Sequence, residues 1–187
     1  MKKTLFTVAA LALCLMFSTC RSSQKKSDET VSGKGNVEQE APVIQTTPDL
    51  TFFGLHGPVK KLKEDFLVYE FDEKGNLTKH NGTFTFSRNE QGRIVKMNGY
   101  ENHVTYLWDA ERPVGSEAAA EGMMLQESYS YDERGFVVKI KHTTNGEVSY
   151  ETLTYSGLDP YGNWTQRSSE GYEYGRGSAT REIEYYE

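Results

Sequence analysis

Tyr129-Ser130-Tyr131-Asp132-Glu133-Arg134-Gly135-Phe136-Val137-Val138-Lys139 is the stretch that decides the fold. Its two tyrosines stand two residues apart and share one face of a strand. Asp132 can bond the backbone two residues on, and Gly135 can take a positive φ. The chain then reverses, and Phe136 to Lys139 return as the partner strand. Tyr69-Glu70-Phe71-Asp72-Glu73-Lys74-Gly75-Asn76-Leu77-Thr78-Lys79 states the same phrase in full. A third copy, Phe84-Thr85-Phe86-Ser87-Arg88-Asn89-Glu90-Gln91-Gly92-Arg93-Ile94-Val95-Lys96, reads as two residues longer in its turn. Two weaker copies are Tyr106-Leu107-Trp108-Asp109-Ala110-Glu111-Arg112-Pro113-Val114, which has no turn glycine, and the run from Leu153 to Thr165. With Phe71, Phe86, Trp108, Tyr131 and Tyr155 as anchors, the steps are 15, 22, 23 and 24 residues.

A lone hairpin is marginal in water, whereas stacked hairpins bury a continuous apolar stripe. Further segments read as strands, Val59 to Glu64, Phe66 to Phe71, Val104 to Trp108, Gln126 to Tyr131, Glu147 to Tyr155, Asn163 to Arg167 and Arg181 to Tyr186, and several of them alternate apolar with polar residues at period two. That is the pattern of a sheet with one wet face. Between strands lie Lys74-Gly75-Asn76, Gln91-Gly92-Arg93, Arg134-Gly135-Phe136 and Asn145-Gly146, which is hairpin-turn chemistry. The prediction is an all-β domain of sequential antiparallel hairpins, a twisted meander forming an open or half-closed barrel-like sheet. Ser116-Glu117-Ala118-Ala119-Ala120-Glu121, bounded by Gly115 and Gly122, reads as a turn or two of helix. Pro113 suits a strand edge or a bulge.

Residues 1–19 read as a signal peptide. Lys2 and Lys3 precede an apolar run from Leu5 to Phe17, which is shorter than the about 20 residues a membrane span needs. Phe17-Ser18-Thr19-Cys20 resembles a bacterial lipobox, with Phe17 and Thr19 at variance with its usual residues. Cys14 lies in the leader, so Cys20 is the one mature cysteine, and lipidation accounts for it. Acyl chains contribute about 0.8 kcal/mol per buried CH₂, and several make a stable anchor. Residues 20–48 are polar and have almost no large apolar side chains, the composition of a flexible tether reaching about 30 Å. Asp28-Glu29 resembles an acidic tag for export to the outer membrane surface. The expected location is therefore the bacterial cell envelope, lipid-anchored, at the outer membrane and surface-exposed. Residues 49–187 form the β-repeat domain.

Tyr-x-Tyr-Asp-x-x-Gly-x-apolar at spacings of about twenty residues resembles the YD repeat of the RHS family, over most of residues 57–167. The opening Gly57-Pro58-Val59-Lys60-Lys61 and the closing Asp159-Pro160-Tyr161-Gly162-Asn163-Trp164-Thr165 resemble short lipid-anchored bacterial proteins of that type. Long members resemble spiral β shells enclosing a toxin. About five copies are too few to enclose anything, and no self-cleaving aspartyl protease core is recognisable.

The charge balance narrows the partners. Without the leader, 27 acidic residues face 19 basic ones, a net of −8, which disfavours nucleic acid and anionic membrane surface as partners. Lys60, Lys61 and Lys63 read as the solvated face of a strand. His56, His80, His103 and His142 show no metal-ligand spacing and read as scattered surface histidines. The acidic pairs Asp72-Glu73 and Asp132-Glu133 read as turn formers rather than calcium ligands. No nucleophile motif or phosphate cradle stands out, since Gly171 to Ser178 reads as a long hairpin loop. No enzyme, cofactor or metal is expected. The candidate ligand-binding residues are the aromatics Tyr161, Trp164, Tyr172, Tyr174 and Tyr185, for a glycan or an envelope protein. The competing reading makes these rings the apolar stripe of the last hairpins. The expected function is an envelope-anchored, non-catalytic binding or structural module. The alternative is a carbohydrate-active hydrolase or accessory enzyme of an envelope system.

Overall fold

The computed structural model describes residues 46–187 apart from Glu101, Glu121 and residues 172–176. Helix α1 (Pro48–Phe53) precedes β1 (Val59–Glu64), β2 (Leu67–Phe71), β3 (Leu77–His80), β4 (Thr85–Arg88), β5 (Ile94–Asn98) and β6 (His103–Trp108). Then follow β7 (Pro113–Ala120), β8 (Met123–Tyr131), β9 (Val137–Thr144), β10 (Glu147–Leu158), β11 (Trp164–Glu170) and β12 (Ser178–Tyr185). All pairings are antiparallel within one sheet of order 3-2-1-12-11-10-9-8-7-6-5-4. The sheet is all-β hairpin upon hairpin and is not closed into a barrel. Its two edges are β3 and β4, neighbours in sequence but not in the hydrogen-bonded ladder.

Each repeat phrase builds one hairpin. In β8–β9, Asp132 Oδ1 accepts from the amides of Arg134 (3.0 Å) and Phe136 (2.9 Å). The Asp132 amide donates to the Phe136 carbonyl at 2.8 Å, and the Gly135 amide returns to the Asp132 carbonyl at 3.0 Å. Gly135 has φ +83°, a conformation in which a side chain is strained. Asp72, Asn89 and Asp159 accept the same two amides in their own turns. The third copy's turn is therefore not longer. Asn89 to Gly92 closes with the same bonds as the others, and its two extra residues, Ser87 and Arg88, fall within β4. The glycine-free copy turns one residue earlier: Asp109 accepts from Glu111 and Arg112, and Trp108 pairs with Pro113 across a bulge. Truncating Asp132 to Ala removes two backbone hydrogen bonds and an exposed one from Arg134 Nε at a partly exposed turn. Urea unfolding should show a loss of about 1 kcal/mol.

Successive hairpins are stapled by the anchor aromatics. Trp108 Nε1 donates to the Ile94 carbonyl at 2.8 Å and Tyr155 Oη to the Val137 carbonyl at 2.8 Å, while Tyr131 Oη donates to the Pro113 carbonyl. In each case the acceptor opens the return strand of the preceding repeat. The anchor thus needs a ring for the core and a donor at its tip, which Tyr and Trp combine. Phe86 lacks the donor, and it stands on edge strand β4, which does not pair with β3, the return strand of the preceding repeat.

Residues 116–121, read above as helical, instead lie largely in β7. Pairing on both sides, with β6 and β8, overrides the helix propensity of the alanines. Gly115 permits the close approach there, since a Cβ would lie 2.3 Å from the Glu127 carbonyl oxygen. Among the described residues the one helix sits where none was expected. Thr47 caps α1 by accepting from the Leu50 amide at 3.1 Å, Pro48 opens it, and Gly54 ends it in the left-handed region.

Helix α1 bridges the two edges of the sheet. Phe53 packs on Tyr69 and Phe71 of β2, and Phe52 packs on Phe86 of β4 and Tyr106 of β6. Both rings are fully buried, each contributing about 1.5–3 kcal/mol. Buried Asp49 accepts the Leu77 amide of β3 at 2.7 Å and pairs with Arg88 of β4. A second apolar cluster, with Phe136, Ile140, Leu153 and Trp164, fills the middle of the sheet.

Candidate functional site

Period-two alternation places Glu127 of β8, His142 of β9 and Glu151 of β10 on the inner face. Glu127 lies directly opposite His142 in the ladder, and Glu151 reaches it from the next strand. His142 Nδ1 stands 3.3 Å from Glu127 Oε1 and Nε2 stands 3.2 Å from Glu151 Oε2. Ser116 and Tyr129 donate to Glu127 Oε2 at 2.8 and 2.9 Å. All three ionisable side chains are buried. Burial opposes the charge on His142, but the hydrogen bonds and charges of Glu127 and Glu151 outweigh it and raise its pKa to about 9. Burial likewise works against the Glu151 carboxylate. Bonds from His142 and Ser169 and the Arg167 charge hold its pKa below the usual value.

The charged row continues along the sheet. Arg181 of β12 donates Nε to Glu64 of β1 at 2.9 Å, and both are buried. Its guanidinium carbon lies 3.8 Å from the centroid of the Trp164 ring, with that of Arg167 5.2 Å from the same ring. Glu64, Glu127 and Glu151 thus balance His142, Arg167 and Arg181. Both ring nitrogens of His142 face carboxylates, so the histidine is held as a cation between two acids. Among the described residues no group of three or more His, Cys, Asp or Glu is arranged to hold a metal ion. His142 is not the surface histidine expected from spacing. Its i+2 relation to buried Ile140 is the signal that places it inside.

The aromatic candidates fall into three groups. Trp164 is fully buried under the two arginines and belongs to the core, with no ring face in solvent. Tyr161 is half-exposed and packs on Tyr185 with centroids 4.3 Å apart. Tyr172 and Tyr174 lie outside the described residues.

Tyr161 and Tyr185 belong to a clasp between the two motifs quoted above. Buried Asn163 accepts the His56 amide at 2.8 Å and donates to the His56 carbonyl at 2.9 Å and to Tyr185 Oη at 2.7 Å. Tyr185 Oη donates in turn to Asp159, and burial together with that carboxylate pushes its pKa well up. Gly57, at φ +87°, lies under the Tyr161 ring, where a Cβ would sit 2.5 Å from a ring carbon. The opening and closing motifs therefore meet each other. His56 is half-buried, and burial lowers its pKa.

The remaining feature is an asymmetry between the two rims. Hairpin turns alternate ends, so the turns of Asp72, Asn89, Asp109, Asp132 and Asp159 stand on one rim, which also carries Gly57-Pro58 and exposes Leu158 and Tyr161 at 53% and 40%. The opposite rim carries the larger set, Phe66, Tyr100, Met123, Met124 and Val148, exposed at 69%, 97%, 45%, 50% and 49%. They stand at or beside the tips of successive hairpins. Thr47, where the described chain enters, bonds the Gly75 carbonyl on the aspartate-turn rim. The chain thus enters at one rim while these apolar tips stand on the other.

No family model matches the chain, and no curated protein matches it.

Proposed function

We propose that the chain is an envelope-anchored, non-catalytic binding or structural module built of YD-like hairpin repeats. One observation carries the reading: the chain enters at one rim and most of the exposed apolar tips, five of them, stand on the opposite one. A domain tethered through Cys20 would present those tips away from its anchor. Scattered exposed apolar residues are ordinary, whereas a rim of them at loop tips suits a partner surface or a glycan.

The test is the full chain with Phe66→Ser, Tyr100→Ser and Met124→Ser, applied to a glycan array and to envelope-protein capture. Retention on any ligand of the parent chain should fall at least about tenfold, the scale of a modest hot spot, with unchanged melting temperature. Unchanged retention would remove the rim from the function. The anchor is tested separately: Cys20→Ala should move the chain from the membrane to the soluble fraction and abolish incorporation of labelled palmitate.

A carbohydrate-active hydrolase or accessory enzyme is the second reading, and the histidine between two carboxylates favours it. Release of reducing sugar from envelope glycans by the parent chain, abolished by His142→Gln, would support that reading instead.

A further inference from the structure

Arg181 is a wholly buried arginine with part of its hydrogen-bonding capacity unspent. Its Nε bonds Glu64, but Nη1 and Nη2 have no acceptor among the described residues, and neither does the indole N–H of Trp164 beneath it. Stacking on the indole covers the face of the guanidinium and leaves the N–H edge unsatisfied. Buried donors without partners are rare and point to an occupant. The character of the donors selects that occupant. A guanidinium edge and an indole N–H donate and accept nothing. A water molecule would bring two protons of its own that need acceptors. An anion brings lone pairs only. Arg167 adds a second cation beside the same ring.

We propose that the inner face holds a small anion, an inorganic ion or the carboxylate of an organic ligand, against the Arg181 Nη atoms and the Trp164 indole N–H. The site lies inside the sheet, is separate from the apolar rim, and does not depend on the function proposed above.

Thermal unfolding of the full chain in sodium bromide, acetate and phosphate at equal ionic strength tests it. At least one salt should give a saturable rise, of about 5 °C at ten times its dissociation constant. The rise should be absent in Arg181→Lys, which keeps a cation for Glu64 and removes the fork. Response to acetate alone identifies a carboxylate site, whereas response to bromide or phosphate identifies an inorganic one. Should Arg181→Lys not fold, a crystal of the parent chain grown in bromide decides. Anomalous density at hydrogen-bonding distance from Arg181 Nη supports the site. No saturable rise in any salt, an equal rise in both chains, or a water molecule at the Nη atoms in the bromide crystal would overturn it.

Discussion

Asn163→Ala is expected to be among the most damaging single substitutions in the domain, costing about 3 kcal/mol. Asn163 is wholly buried and serves both backbone groups of His56 from a distance of 107 residues. Truncation leaves the His56 amide and carbonyl unpaired, and each buried orphan costs about 1–3 kcal/mol. It also withdraws a donor from Tyr185 Oη, although Asp159 still accepts from that hydroxyl. The contrast with Asp132→Ala is instructive. Asp132 likewise accepts two amides, but its turn is partly exposed, so water replaces much of what is lost. Urea titrations of both variants beside the parent chain would measure the difference. Equal losses would show that the clasp is not a structural lock.

Alkaline pH is expected to weaken the domain through His142. Its pKa of about 9 in the folded chain exceeds the ordinary 6.5, so the folded state binds the proton more tightly than the unfolded state. The resulting stabilisation is fully present below pH 6.5 and disappears as pH rises through 9. It amounts to about 3 kcal/mol at most. Glu151 acts with the opposite sign. Its lowered pKa adds stability that is present above the ordinary 4.5 and is lost as pH falls. These two groups together place maximal stability between about pH 4.5 and 6.5. His142→Gln should flatten the alkaline limb. It should also destabilise the domain near pH 6, because Glu127 and Glu151 would be left without the cation between them. Denaturant midpoints at pH 6 and 9.5 for both chains test this. A parent chain equally stable at both values would mean that His142 carries no charge in the fold.

The contrast between these two sites marks how far the sequence could be read. Hairpins follow from local chemistry: an aspartate that bonds the amides two and four residues on, a glycine with positive φ, and rings two residues apart. Such features need no knowledge of the rest of the chain. The β7 strand was hidden because Ala118-Ala119-Ala120 favours helix locally and becomes strand only through partners on both sides. The inner charged row was partly legible, since His142 follows Ile140 on one face. Nothing local, however, shows that Glu127 and Glu151 converge on it from two other strands. The Gly57-Pro58 and Asp159-Pro160-Tyr161-Gly162-Asn163 motifs were visible as text, but their mutual docking spans more than a hundred residues. Trp164 was visible as an aromatic that could be core or site, and its burial under Arg167 and Arg181, which come from two strands, decides for the core.

The pairing of β1 with β12 also orders events during synthesis. Strands β4 to β12 can zip hairpin by hairpin as the chain lengthens, each contact local and fast to form. Strands β1 to β3 are made first, yet the sheet they join is reached only through β12, across a loop of more than a hundred residues. The partners of helix α1 on both edges, from Tyr69 to Tyr106, all precede β12, so α1 can draw the edges together before the ladder between them is complete. What waits for the last strand is the ladder partner of β1. Premature termination before Ser178 would leave that strand unpaired on one side and take Ile183 and Tyr185 from the cluster around Phe52 and Phe53.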